Sequence, residues 1–342
     1  MMTVRFTFLL APLTLIGCGS GSPSSPTTIG SVPAPVYQGS AVSAIDGTPI
    51  AGVNVKVGSQ TGTSDDSGNF MVRSLSEGTT TIVLSGAAIH ERQRTLTIPS
   101  ESAREALIPA KFDLEAFDEM FRGTGRLQRW MSAPGLVVLD KVMEYSSGYA
   151  SEDYQATSEQ LTDADIELMV EHFTEGLSLL TGGTFSAFSS IEIEKPASGA
   201  SVKTVRTGKI VVGRYRGVQS LENTIGTAQW ATNGASPEVV GGAIYLDRNF
   251  DRSNSARRLL RIHELGHALG YLHVTRRASI MNPSIGPEPT EFDRQGSIIA
   301  FQRLPGNQSP DSDLGEAART GGIIGIGPRL REVSSVKVIC GQ

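Results

Sequence analysis

The sequence predicts an α+β domain, a mixed twisted sheet with one site-bearing helix, preceded by a small all-β sandwich. Three observations predict it. Short β-rich runs broken by turn residues fill 36–100, apolar residues recur at helical spacing over 158–181, and strand-like runs alternate with helical ones to about residue 303. The chain of 342 residues is 39% hydrophobic and 19% charged, a globular balance with room for two domains. A net charge of −5 and the lack of any dense Lys/Arg run argue against a nucleic-acid surface. No apolar run reaches the roughly 18–20 residues needed to span a bilayer.

Residues 1–18 carry one basic residue, Arg5, and then an apolar stretch from Phe6 to Gly17, the pattern of an export signal. Leu15-Ile16-Gly17-Cys18 resembles a bacterial lipobox, which implies lipidation at Cys18 and an extracytoplasmic protein anchored to the cell envelope or surface. Gly19 after the cysteine points to the outer membrane in a two-membrane cell. With Cys18 lipidated, Cys340 has no partner for an internal disulfide. Residues 19–35 are rich in Ser, Pro, Gly and Thr, too polar to offset their ordering entropy, and read as a flexible linker.

Over 36–100, VNVKV, NFMVRSL and TTIVLS are separated by DGTP, SDDSGN and SEGT turns, the spacing of a small antiparallel sandwich. Pro49, Gly52-Val53, Asp65-Asp66-Ser67-Gly68 and Phe70 make this segment resemble the carboxypeptidase-regulatory-like domain, which implies an accessory β-sandwich. The Asp65-Asp66 pair reads as a hydrogen-bonded turn ahead of a cation site. Residues 101–125 read as a polar, partly helical connector.

The larger domain, 126–305, opens with a strand in RWMSAPGLVVLD. A helix follows over 158–181, with Thr162-Asp163 as its cap and Gly182-Gly183 as its stop. Strands are expected at 189–195, 208–215 and 241–247, and a fourth at 226–233. A second helix begins near Ser253-Asn254-Ser255 and runs to Leu269, and a last covers Glu291 to Arg303. The Gly-rich tail, 306–342, shows no pattern.

HELGHALGYLH, 263–273, gathers three of the five histidines. On a helix, His263 and His267 lie about 40° apart and one turn along, so their imidazoles can share one ion. The adjacent Glu264 can reach a water in an open position of that ion. His273 would point about 240° away from His267 on a continuous helix, so the helix has to end first. Gly270 permits this, because glycine takes the left-handed conformation at little cost. Three neutral imidazoles and one open position describe a catalytic Zn2+ site with a single ion. Such an eleven-residue pattern assembles by chance on the order of 10⁻⁵ times in a chain of this length.

HELGHALGYLH followed by ASIMNP resembles the metzincin zinc metalloproteases, most of all the matrixin-like branch. The resemblance spans roughly 125–303 and is strongest at 263–283. It implies a metzincin-like α+β catalytic domain acting as an endopeptidase on an extended peptide or protein. It also implies that Met281 sits in a turn beneath the metal and that 226–233 is the edge strand pairing with substrate. Some features depart from the family. Val274 matches no branch, Pro283 stands where other branches carry a ligating tyrosine, and no prodomain cysteine switch is visible. His90 and His172 do not suggest a second histidine-rich site, His172 reading as a surface residue. Two alternatives stay open at this point: a non-catalytic surface lipoprotein using the metal fold for binding or adhesion, and a zinc hydrolase of non-peptide amides.

Overall fold

The computed structural model describes residues 34–144, 153–218, 224–234, 236–313 and 333–341. Cys18, the signal segment and most of the linker lie outside these residues. The N-terminal part contains β1 (Tyr37–Ser43), β2 (Asn54–Val57), β3 (Gln60–Thr63), β4 (Asn69–Val72), β5 (Gly78–Ser85), β6 (Arg92–Ile98) and β7 (Ala103–Leu107). They form a three-stranded sheet, β4-β1-β7, and a four-stranded sheet, β3-β2-β5-β6. The alternation in NVKV and NFMV places every second residue inside, and Val55, Val57, Phe70, Val72, Ile82 and Leu84 share one core. Asp65 closes its turn, its Oδ1 accepting from the Ser67 and Asn69 amides at 2.9 and 2.8 Å. The stretch 101–125, read from sequence as a connector, supplies β7, paired in parallel with β1, and then the helix α1 (Leu114–Phe121).

The remaining elements are β8 (Gly135–Leu139), β9 (Lys141–Glu144), β10 (Asp153–Gln160), α2 (Asp163–Leu180), β11 (Ile191–Glu194), β12 (Ser201–Lys203), β13 (Lys209–Arg216), β14 (Thr224–Asn233), β15 (Val239–Asp247), α3 (Arg248–Ser253), α4 (Arg257–Ala268), α5 (Glu291–Phe301) and β16 (Val333–Gly341). The strands form one mixed nine-stranded sheet in the order β12-β10-β9-β13-β15-β14-β16, with β8 joining β13 to β11. Strand alternation sorts its residues by face. Leu136, Val138, Ile210, Val212, Ile244 and Leu246 meet the helix layer, while Val137, Leu139, Val211, Tyr215 and Tyr245 line a second core behind the sheet.

The expected α+β metzincin-like class is corrected by this architecture. Among the described residues, strands make up 36% and helices 21%, arranged in several sheets, so this part of the protein is mostly β. The expectation undercounted strands for a physical reason. Short runs of apolar β-formers reveal strands such as β13 and β15, whereas β10 (DYQATSEQ), β12 (SVK) and β16 (VSSVKVICG) are polar, short or interrupted by small and polar residues. The expected edge strand is also corrected. β14 lies between β15 and β16, antiparallel to both.

The helix ends follow local chemistry. Thr162 caps α2, accepting from the Asp165 amide, and Gly182 and Gly183 stop it at φ of 57° and 78°. The expected cap at 253–255 is displaced: α3 runs to Ser253, and α4 starts after Ala256 without a side-chain cap. Thr290 and Asp293 form a capping box at the start of α5.

Candidate metal centre

The end of α4 presents His263 and His267 on one face, with their Nε2 atoms 3.1 Å apart. The helix stops at Ala268, and Gly270 takes a φ of 106°. Its amide donates to the His267 carbonyl at 2.9 Å and the Tyr271 amide to the Gly266 carbonyl at 3.0 Å, closing a left-handed end. A Cβ on Gly270 would also fall 2.8 Å from the Gln128 carbonyl oxygen, so the site admits glycine on two counts. The turn brings His273 Nε2 to 3.2 Å from His267 Nε2. The three residues form a group that could hold a metal ion, their ligand nitrogens all within 4.8 Å of one another.

The donor set fits that role. His263 Nδ1 faces the Ile280 carbonyl at 2.6 Å and His267 Nδ1 the Tyr271 carbonyl at 2.7 Å. A carbonyl only accepts, so each Nδ1 carries the proton and each Nε2 turns a lone pair inward. Ligand nitrogens about 2.0–2.1 Å from a tetrahedral ion stand about 3.3 Å apart, close to the observed spacing. Burial pulls His263 down to about 4 and His267 well below its ordinary value, with neighbouring imidazoles adding to the effect. Burial alone lowers His273. The rings are therefore held neutral, the form that ligates.

Glu264 follows the first ligand and is fully buried. Its carboxylate lies against β14 at Gly226, where any Cβ would collide with it. Trp230, also on β14, fixes that strand to the helix end, its Nε1 donating to the Ala268 carbonyl at 3.0 Å and to Gln128 Oε1 at 2.8 Å. Met281 is buried beneath α4, against Gly266, where a Cβ would strike its sulfur. The turn that carries it is pinned by Val274, whose amide donates to the Met281 carbonyl at 3.0 Å. Asn282 Nδ2 donates to the Val274 and Arg277 carbonyls at 2.6 and 2.8 Å.

Sequence reasoning missed Asp293. Its buried carboxylate accepts from the Ile280 amide at 3.1 Å, the Thr290 amide at 2.7 Å and the Ser279 hydroxyl. Because the Ile280 carbonyl receives His263 Nδ1, Asp293 holds the residue that orients one of the three histidines. The available signal was the capping-box spacing Thr290-x-x-Asp293, opening nine residues past Met281. His172, expected on the surface, is buried: α2 turns it towards α4, and its Nδ1 lies 3.1 Å from Arg261 Nη1. Arg261 and Arg214 share Asp251, tying α4 to the sheet. His90 lies apart, its Nε2 3.1 Å from the Phe112 carbonyl.

No protein-family model matches this chain, and no curated protein matches it. Among solved structures, it is similar to a chain of a type II cohesin–X-dockerin complex from Acetivibrio cellulolyticus, a C-terminal interface mutant. That match has 18% identity and a TM-score of 0.16, covering 21% of this chain and 50% of the other. The N-terminal interface mutant of that complex matches at 20% identity and a TM-score of 0.17, covering 22% and 55%. This chain thus spans about half the length of each.

Proposed function

We propose that the chain is a zinc-dependent endopeptidase acting on extracytoplasmic proteins, held at the cell envelope by lipid at Cys18. The observation that carries the catalytic reading is the convergence of His263, His267 and His273 on one point, with the Glu264 carboxylate on the next residue of the same helix. The metzincin-like motif supports it at the level of sequence, and the export signal with its lipobox supports the location. Among the described residues no helix is long and apolar enough to cross a membrane.

His263, His267 and His273 would hold the ion through Nε2. When bound, zinc supplies a Lewis acid that polarises a carbonyl and lowers the pKa of water towards about 7. Glu264 accepts the proton of the attacking water at a carboxylate oxygen and returns it to the leaving amine. Backbone carbonyls of Ile280 and Tyr271 hold the ligand rings in orientation, and Met281 packs beneath the site without ligating. The site walls exclude water on the helix side, since Glu264, His267 and Met281 are all fully buried. Strand β14 would favour a peptide over a small amide once β16 leaves its ladder, because an open strand edge recognises extended main chain whatever its side chains.

Digestion of an unbiased peptide library tests the reading. The Glu264→Gln variant should retain its zinc and lose about 10²–10⁴-fold in hydrolysis. Equal hydrolysis by variant and wild type would end the assignment.

A further inference from the structure

β14 runs directly against the candidate general base, because Gly226 abuts the Glu264 carboxylate. One side of its ladder is taken by β15. The other is taken by β16, antiparallel, in a register from Gly226 opposite Cys340 to Asn233 opposite Val333. We infer that residues 333–341 occupy the strand position an extended peptide substrate would take, so that the chain closes its own site. This rests on the peptidase reading above.

Spacing supplies the physical reason. Neighbouring strands lie about 4.8 Å apart, so a peptide added outside β16 would sit a full strand further from Glu264. A general base works within about 2.6–3.2 Å of the proton it takes, or through one water. A productive peptide must therefore displace β16 and pair with β14. The segment suits its place: VSSVKVICG is rich in β-branched residues and contains no proline to interrupt the ladder. The position beside Glu264 requires a residue without a side chain on β14, and Gly226 provides it. A rigid strand at this position is further secured by Trp230 bonding to the end of α4.

The full chain with Val336→Pro and Lys337→Pro tests this, since adjacent prolines remove ladder donors of both parities. Library hydrolysis should rise; a site open a tenth of the time gains about tenfold on release. The synthetic nonapeptide VSSVKVICG should then suppress it. In a Glu264→Gln background, where turnover plays no part, the prolines should speed amide exchange across 224–233 and the nonapeptide should slow it again. Exchange that rises without any gain in hydrolysis by an active enzyme overturns the inference and leaves the peptidase reading standing. Absence of hydrolysis in every form removes the peptidase reading, while nonapeptide binding still decides whether β14 accepts this segment. Ser335→Pro alone, which loses a single ladder position, serves where the double variant does not fold; unchanged exchange in it counts against the strand.

Discussion

At the junction between sandwich and helix layer, Arg92 and Arg303 meet Asp311 at 2.9 and 2.7 Å, and Arg92 meets Asp313 at 2.7 Å. Asn307 donates to both aspartates, at 3.1 and 2.9 Å. At the candidate metal centre, His263, His267 and His273 instead bring imidazole nitrogens together. The first cluster pairs opposite charges, with buried guanidinium donors facing carboxylate acceptors. The second gathers like groups, and two of its rings are fixed with lone pairs inward. Burial of polar groups alone therefore does not reveal their purpose. Where opposite charges are matched, the cluster fastens two parts of the molecule. Where acceptors converge, it is shaped for a cation supplied from outside.

The strongest way to separate the two is Asp311→Ala, which leaves buried guanidinium groups without their shared partner. Stability should fall by about 3–5 kcal/mol, read by urea unfolding, while metal stoichiometry of the folded protein stays the same. Loss of metal without loss of stability would erase the distinction. Next comes Gly270→Val, which forces a β-branched residue into a left-handed backbone at a strain of about 1–3 kcal/mol. It also collides with Gln128, and it should weaken metal binding although it touches no ligand. An unchanged affinity in competition titration would mean that the return of His273 does not depend on this turn.

Asp293→Asn should have a smaller effect on stability and about a 10–100-fold effect on metal affinity, measured against a chelator. Unaltered affinity would show that orienting His263 does not require the Asp293–Ile280 link.

The smallest effects concern pH. Desolvation would raise the Asp311 carboxyl, but the Arg303 and Arg92 guanidiniums outweigh it and hold it below the ordinary carboxylate value. Its contribution is complete above about pH 3.9 and is lost as pH falls through the lower folded value. His172 is also depressed, by burial first and then by Arg261. The stability gained from its neutral ring is present above about pH 6.5 and is lost as pH falls through its lowered value. Acid should therefore loosen the α2–α4 contact before the sandwich junction, and His172→Gln should flatten the upper part of a melting-temperature profile against pH. A profile unchanged by that substitution would remove His172 from the account.

Much of the candidate site was legible because it is local. His263, Glu264 and His267 are separated by helical spacing, and Gly270 sits where a continuous helix would misdirect His273. α2 and the strands β13 and β15 declared themselves by periodicity and by caps. Asp293 was harder to see, because its effect on His263 passes through the backbone of Ile280, and sequence distance conceals that link. His172 looked like a surface residue because only the packing of α2 on α4 buries it.

The sequence by itself determined the identity and spacing of the three converging histidines, the residue placed beside them, and the glycine that lets the third return. Those depend on backbone geometry over eleven residues, which chemistry fixes locally. Tertiary structure decided the rest: the predominance of sheet, the pairing of β7 with β1, and the burial of β14 between two neighbours. Strand pairing is non-local, so a segment such as Val333–Gly341 becomes a strand only where an open ladder receives it.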